Sequence, residues 1–233
     1  MNSKSFVFII ASLASIGSSA QTLTGTVKDN FGALITASGS PTTVEIHAVP
    51  QPAGSQSGHV RLAAGFSATA AVDSTGAFSI ANIPAGQYWL CAYASSQGYL
   101  SNCDWSAAAN RPITVPAATQ LPLTLTLAKG AIVTLDVNDP GGKIATVALK
   151  NGHWFYPGVM DALGNYSAAR PSSTIGTHHY YLVTIPVTTN FKLFIDSDLI
   201  ILGASSNSVA TRKLSAIVIS GTNGPVNLLL SVQ

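Results

Sequence analysis

The chain has 233 residues, of which 47% are hydrophobic and only 9% are charged, and its formal net charge is +2. Surfaces that bind nucleic acid or anionic lipid need clustered basic residues, and none are clustered here, so the sequence predicts neither partner. Disorder is disfavoured too, because the apolar fraction is high and regular alternation runs along the chain.

The N-terminus predicts a secretory signal peptide over residues 1–20. Lys4 supplies a positive charge, Phe6–Ile16 forms an apolar run of 11 residues, and the small residues Gly17–Ala20 follow. These are the three parts of a signal peptide, with cleavage before Gln21. The run is too short for a permanent transmembrane helix, which needs about 20 residues. We therefore expect an exported protein, in the periplasm, on the cell surface or in the medium, without a membrane span.

The remainder of the chain predicts strands and no helix. Apolar and polar residues alternate in short runs that are rich in β-branched and aromatic side chains. Many short strands separated by turns are typical of a sandwich, so the predicted fold class is all-β. The predicted strands are Leu23–Lys28, Thr42–Val49, Gly86–Ala94, Leu121–Ala128, Ile132–Asn138, Tyr180–Ile185, Phe191–Asp196, Leu199–Leu202, Leu214–Ile219 and Val226–Val232. The predicted turns are Asp73–Gly76, Asp139–Gly142, Asp196–Asp198 and Thr222–Pro225.

An internal repeat predicts two tandem domains. Val27–Gly32 and Val137–Gly142 share the spacing V-x-D-x-x-G, and Ile83-Pro84 is echoed by Ile185-Pro186. The length that remains after signal cleavage also exceeds one domain of about 100–150 residues. The predicted β-sandwich domains are residues 21–128 and, as a divergent repeat, residues 129–233.

Two stretches of the first half carry a family pattern. Residues 25–35 read GTVKDNFGALI, and residues 72–94 read VDSTGAFSIANIPAGQYWLCAYA. Over roughly residues 22–128 the chain resembles the bacterial carboxypeptidase regulatory-like domains, which are transthyretin-like (prealbumin-like) sandwiches of the Ig type. The second half resembles them weakly, because Thr188 stands in place of Gly86 and no D-x-x-G precedes its aromatic strand. The matching residues are Asp73, Gly76, Phe78, Ile80, Ile83, Pro84, Gly86 and Tyr88.

The resemblance implies an accessory sandwich without peptidase activity, since catalysis in that family belongs to a separate domain. Some related surface sandwiches form an isopeptide bond between Lys and Asn with the help of an acidic residue, and Lys28 and Glu45 fit two of those roles. The last strand of the first half, LPLTLTLA, has no Asn to accept the bond. No such cross-link is therefore predicted there.

Cys91 and Cys103 are the only cysteines, and in an exported chain such a pair predicts a disulfide bond. Closing this short loop should stabilise the fold by about 3 kcal/mol on the chain-entropy description. A metal site or a thiol nucleophile would need further residues, so the structural disulfide is favoured over both.

The residues around this pair suggest a binding surface. If Tyr88, Leu90 and Ala92 face the core, as the resemblance implies, the alternate residues face outward and the disulfide pins the following segment across them. That arrangement would gather aromatic rings into a platform for a sugar or a peptide. Alternatively the segment covers the rings as a small satellite core, which we favour. The ligand-binding candidates are Trp89, Tyr93, Tyr99 and Trp105, and the cluster Trp154, Phe155 and Tyr156 poses the same choice.

No catalytic motif is present, so the sequence predicts neither an enzyme nor a cofactor. The adjacent His178 and His179 point to opposite faces of a strand and cannot share one metal ion. Acidic turns offer oxygen ligands of the kind that Ca²⁺ takes, but Asp and Asn also favour turns for their own hydrogen bonds, and we favour that explanation. The acidic clusters are Asp136, Asn138 and Asp139, and Asp196 and Asp198.

The sequence therefore predicts an exported, non-catalytic protein that serves as a structural or interaction module of the cell envelope or the medium. Its partner would be a protein or a glycan. The alternative is a carbohydrate-binding module that uses an aromatic surface near Trp89 and Trp105. Exposed rings would favour the alternative, and buried rings would favour the structural module.

Overall fold

The structure is a computed structural model that describes ten ranges of the chain, and the predicted signal peptide, Trp154 and most of the turn Thr222–Pro225 lie outside them. The described ranges are 21–37, 42–49, 65–105, 112–115, 122–144, 155–187, 190–203, 208–209, 213–220 and 225–233. They contain strands and a single-turn 3₁₀ helix, and the all-β fold class is confirmed. Within these ranges no helix has the length and apolar character to span a membrane.

In the described part of the first half, seven strands form two sheets. Their orders are β4-β1-β7 and β3-β2-β5-β6. Buried residues of both sheets, such as Val27 and Leu90, belong to one hydrophobic cluster, so the sheets pack face to face. The strands are β1 Gln21–Asp29, β2 Thr43–Ala48, β3 Ser67–Ala71, β4 Ala77–Ile83, β5 Gly86–Tyr93, β6 Ile113–Val115 and β7 Leu123–Leu127, with the 3₁₀ helix Ser95–Gln97 after β5.

Among the residues described for the second half, ten strands form two further sheets. Their orders are β10-β9-β13-β16 and β11-β12-β8-β17-β14-β15. A second hydrophobic cluster joins them and contains, for example, Val133 and Leu193. The strands are β8 Ala131–Asn138, β9 Phe155–Met160, β10 Tyr166–Ala168, β11 Arg170–Ile175, β12 His178–Ile185, β13 Asn190–Ser197, β14 Ile201–Gly203, β15 Ser208–Val209, β16 Lys213–Ser220 and β17 Val226–Val232.

The two halves repeat one pairing order. Strand β1 lies between antiparallel β4 and parallel β7, and β8 lies between antiparallel β12 and parallel β17. Both β4 and β12 end at the isoleucine of an Ile-Pro pair, Ile83 and Ile185. The repeat read from the sequence thus corresponds to equivalent strands, while the domain boundary at residues 128–129 stays a prediction.

Three tight loops share a D-x-x-G geometry. In each, the Asp Oδ1 accepts the backbone N–H groups of the second and fourth residues that follow. The glycines adopt positive φ angles of 86°, 75° and 85°, which favour glycine over other residues. The loop in the second half joins β9 to β10, whereas Asp73–Gly76 precedes β4, the strand that corresponds to β12. The three loops are Asp29–Gly32, Asp73–Gly76 and Asp161–Gly164.

Candidate functional site

The segment that follows β5, residues 94–105, is called here the excursion. It contains the 3₁₀ helix, which ends at Gly98 with a φ of 73°. The predicted disulfide bond joins Cys91 of β5 to Cys103 near the end of the excursion. Cys91 is only 4% exposed, so the outward face of β5 is covered at this position. The excursion therefore lies against β5 at this position, and the choice between a satellite core and a binding surface stays a prediction.

Asn102 extends the edge of β5 with its side chain. Strand β6 pairs with β5 over Gly86–Tyr88, and among the residues that the structure describes no strand pairs with the later part of β5 on that side. Asn102 Oδ1 accepts the N–H of Ala92 at 2.8 Å, and its Nδ2 donates to Leu90 O at 3.0 Å. The buried side-chain amide of Asn102 thus makes the two hydrogen bonds to β5 that a neighbouring strand would otherwise make.

Trp105 connects the excursion to the second half. Its indole Nε1 donates to Thr184 O at 2.8 Å. Its ring meets Phe191 edge to face, with the centroids 5.0 Å apart, and packs against the second hydrophobic cluster. Both the apolar ring and the polar tip are therefore used within the protein, as is usual for a buried tryptophan.

Asp104 makes a second contact with that half. Its Oδ2 accepts the hydroxyl of Ser167 at 2.7 Å. Burial raises the pKa of the Asp104 carboxyl, while the Ser167 hydrogen bond and the charge of Arg170 lower it and the charge of Glu45 raises it. The net pKa lies above the ordinary value because desolvation disfavours the charged form.

Arg170 of β11 reaches across to the first half. Its guanidinium donates to both carboxylate oxygens of Glu45, at 2.5 and 3.1 Å, and lies 3.3 Å from the ring centroid of Tyr93. His47 Nε2 lies 3.1 Å from the same carboxylate. Burial, followed by the charge of Asp104, raises the pKa of Tyr93 to about 12. Glu45, one of the two residues weighed for an isopeptide bond, is thus engaged in an ion pair.

Backbone contacts complete the junction between the halves. Gly130 N donates to Gly98 O at 2.9 Å, and Leu100 N donates to Ala128 O at 2.8 Å. Lys129 Nζ lies 3.7 Å from the ring centroid of Tyr99. The excursion therefore lies against the connection between β7 and β8 along several residues.

The four ligand-binding candidates are all half-buried, and three have a ring face or edge in contact with another side chain. Arg170 lies over Tyr93, Lys129 over Tyr99, and Phe191 against Trp105. Trp89 is half-buried within β5. In the other cluster, Phe155 packs near Tyr181 and Tyr156 is 56% exposed. Ligand binding by these rings stays a prediction.

The histidines and acidic residues of β8 and β12 form separate pairs. His178 Nδ1 lies 2.6 Å from Asp136 Oδ1. His179 Nε2 lies 3.8 Å from Asp139 Oδ2, which is beyond hydrogen-bond distance. Thr174 Oγ1 lies 3.3 Å from the other ring nitrogen of His179. A hydroxyl, an imidazole and a carboxylate are therefore neighbours, but His179 and Asp139 do not make the hydrogen bond that a catalytic triad needs.

Two residues of the first acidic cluster accept hydrogen bonds within the protein. Asp139 Oδ2 accepts the N–H of Ile144 at 2.6 Å, and Asn138 Oδ1 accepts the hydroxyl of Thr177 at 2.8 Å. Within the described ranges, no group of three or more His, Cys, Asp or Glu side chains is placed to hold a metal ion. The bond of Asp139 to a backbone N–H five residues along the chain fits the turn explanation for that residue.

No protein-family model and no curated protein matches the sequence. Among solved structures, the Streptococcal ancillary pilin overlaps at 12% identity and a TM-score of 0.37, over 90% of this chain and 62% of that one. The shaft pilin SpaA from Lactobacillus rhamnosus GG overlaps at 12% identity and a TM-score of 0.30, over 92% of this chain and 97% of that one. The Bacillus anthracis TIE protein overlaps at 8% identity and a TM-score of 0.31, and this chain spans 34% of its length. Such low TM-scores carry no weight for function.

Proposed function

We propose that the chain is an exported, non-catalytic β-sandwich protein that serves as a structural or interaction module of the cell envelope or the medium. The signal-peptide pattern of residues 1–20 supports export, and the resemblance of residues 22–128 to the carboxypeptidase regulatory-like domains supports an accessory role. We include in this proposal the two domains, residues 21–128 and 129–233.

One observation carries the non-catalytic part of the proposal. The charged and hydroxyl-bearing side chains at the junction contact one another. Arg170 contacts Glu45 and Tyr93, and Asp104 contacts Ser167. A binding or catalytic site presents convergent polar groups to a cavity that a ligand can enter. Here the same groups contact the other half of the chain, which favours a role in fixing the structure.

Export is tested by expressing the full chain in a Gram-negative host and sequencing the N-terminus of the fractionated product. We expect protein outside the cytoplasm that begins at Gln21 and has Cys91 and Cys103 oxidised. Ala20→Arg should block cleavage, because signal peptidases require a small residue there, whereas Ser19→Ala should be processed normally. Uncleaved wild-type chain confined to the cytoplasm would refute the proposal.

Carbohydrate binding stays the alternative, and it is tested on the mature, oxidised protein by tryptophan fluorescence with acrylamide quenching. The non-catalytic module predicts no change in quenching with a panel of polysaccharides and cell-wall fragments. A glycan that protects tryptophan from acrylamide, and loses this effect in Trp89→Ala, would establish the binding module instead. Trp89 is chosen because the ring of Trp105 is already packed against Phe191.

A further inference from the structure

We propose that the disulfide bond is a redox latch on the junction between the two halves. While it is closed, it holds Asp104 and Trp105 against the second half, and its reduction releases these two residues and loosens the junction. The inference goes beyond the proposed function and does not depend on export, because it concerns the purified chain alone.

The position of the disulfide carries the inference. Cys103 immediately precedes Asp104 and Trp105, the residues that contact Ser167, Thr184 and Phe191 across the junction. Cys91 lies in the middle of β5, between Leu90 and Ala92 of the first core. The covalent bond therefore ties the two residues that contact the second half directly to β5 of the first half.

The other attachments of the excursion fall into two groups. Its first part is held at the connection between the halves by the backbone bonds of Gly98 and Leu100, and these do not involve the disulfide. Its last part is held to β5 by the disulfide and the two hydrogen bonds of Asn102. We therefore expect reduction to act on residues 101–105 and to leave both sandwich cores folded.

The chemical step is reduction by a dithiol. A thiolate of the reductant attacks the half-buried Cys103 Sγ, the S–S bond breaks, and Cys91 leaves as a thiolate that takes up a proton. The second thiol of the reductant then displaces Cys103, so two electrons and two protons enter the protein and the reductant becomes a cyclic disulfide.

The latch is tested by hydroxyl-radical footprinting, which reports the solvent exposure of individual side chains by mass spectrometry. The oxidised mature chain is compared with the double variant Cys91→Ser/Cys103→Ser, which mimics the open latch without a radical-scavenging reductant. We expect labelling of Trp105 to rise at least about fivefold as its ring leaves Phe191, because aromatic side chains are labelled in proportion to exposure. Labelling of Leu135, in the second core, should stay unchanged.

Two outcomes would overturn the latch. Unchanged labelling of Trp105 in the double variant would show that the junction holds without the disulfide. Increased labelling of the core residues Leu135 and Val27 together with Trp105 would show that the disulfide stabilises the whole fold and not the junction in particular. If the double variant does not fold, the wild-type chain is reduced with dithiothreitol and its acrylamide quenching followed. Acrylamide quenching must then rise on reduction and fall again on reoxidation. The rise must also be smaller in Trp105→Phe than in the wild-type chain. Failure of any of these three results also overturns the latch.

Discussion

The guanidinium carbon of Arg170 lies over the ring of Tyr93, 3.3 Å from its centroid, while its nitrogens donate to both carboxylate oxygens of Glu45. Stacking and two-pronged hydrogen bonding together are a combination that only arginine offers among the basic residues. Because Arg170 belongs to the second half and its two partners to the first, this one side chain couples the halves electrostatically.

The first prediction concerns this ion pair. Arg170→Ala should lower the free energy of unfolding by about 2 kcal/mol, because it leaves the carboxylate of Glu45 buried without its cation. The Glu45 side chain is only 15% exposed, which keeps solvent from replacing the lost partner. Urea unfolding of the oxidised mature chain at neutral pH measures the change.

Arg170→Lys is the matched control, since it keeps the charge and loses the planar fork. It should recover only part of the loss. A double-mutant cycle with Glu45→Ala should give a coupling energy of about 1–2 kcal/mol. A coupling near zero would mean that the pair contributes nothing beyond the two separate truncations.

The second prediction concerns the pH dependence contributed by Asp104. Burial raises the pKa of this carboxyl in the folded protein, so the folded state binds its proton more tightly than the unfolded state does. Proton binding by Asp104 therefore stabilises the folded state. This stabilisation is fully present below the pKa of the unfolded chain, about 3.9, and is lost as the pH rises through the pKa of the folded protein. Asp104→Asn, which retains an oxygen for Ser167, should therefore become more stable relative to wild type between pH 4 and pH 7.

Asp161→Asn provides a control of opposite sign. Slight burial of Asp161 acts against ionisation, but hydrogen bonds from Asn165 and Leu163 outweigh it and lower the pKa of the carboxyl. This carboxyl stabilises the fold above its unfolded pKa, so the variant should lose stability relative to wild type as the pH rises. Equal pH profiles for the two variants, measured by thermal unfolding, would contradict the assignment.

The sequence predicts the strands well where alternation is strong. Strand β17 has the predicted bounds, and β8 begins one residue earlier than predicted, because both carry regular β-branched or leucine alternation. Strand β9 is missed because it contains Pro157 and Gly158, which normally break a strand. Pro157 O accepts a hydrogen bond from Ala169 N at 2.9 Å, although its own nitrogen has no hydrogen to donate.

Two other misses have simple causes. Strand β11 begins Arg170-Pro171 and its remaining residues are exposed, as an edge strand allows, so no apolar face marks it. Leu199 was assigned to a strand, but it lies in a bend and β14 begins at Ile201. In both places the local pattern carries little information, because the neighbouring strands decide the pairing.

The junction could not be predicted from local pattern at all. Glu45 and Arg170 are 125 residues apart, and Trp105 and Thr184 are 79 apart. The sequence indicated that the disulfide would hold a segment over aromatic rings, but not that these rings would contact the second half. Such contacts depend on how the two halves of the chain meet, which no periodicity encodes.

The third prediction concerns close packing at the connection between β7 and β8. A Cβ on Gly130 would lie 2.5 Å from Ile185 O and 2.7 Å from Leu100 Cδ2. Because the nearest atom is a backbone oxygen of β12, which pairs with β8, the backbone at the start of β8 would have to shift, and Gly130→Ala should cost about 2–3 kcal/mol. Gly141→Ala is the matched control: its Cβ meets only the flexible Lys143 side chain at 3.4 Å, so its stability should change by less than about 0.5 kcal/mol. Equal chemical-denaturation midpoints for the two variants would show that the backbone at Gly130 accommodates a Cβ without loss of stability.

The fourth prediction concerns Asn102. Asn102→Ala removes the partners of Ala92 N–H and Leu90 C=O, two backbone groups on a buried stretch of β5. Leaving such groups unsatisfied costs about 1–3 kcal/mol each, less where water can enter, so we expect a total loss of about 2–3 kcal/mol. Hydrogen–deuterium exchange should quicken at Ala92 more than at Val44, its neighbour on β2.

Asn102→Asp separates the two hydrogen bonds. The carboxylate can still accept from Ala92 N–H, but it has no donor for Leu90 O and places negative charge beside that oxygen. The variant should therefore be less stable than wild type at pH 7 and recover part of the loss near pH 4, where a protonated carboxyl can donate again. Asn227→Ala, at an exposed position of β17, controls for the loss of an amide and should change stability by less than about 0.5 kcal/mol. If Asn102→Ala is no more destabilising than Asn227→Ala, β5 does not need its side-chain partner, and the excursion depends on the disulfide for its attachment there.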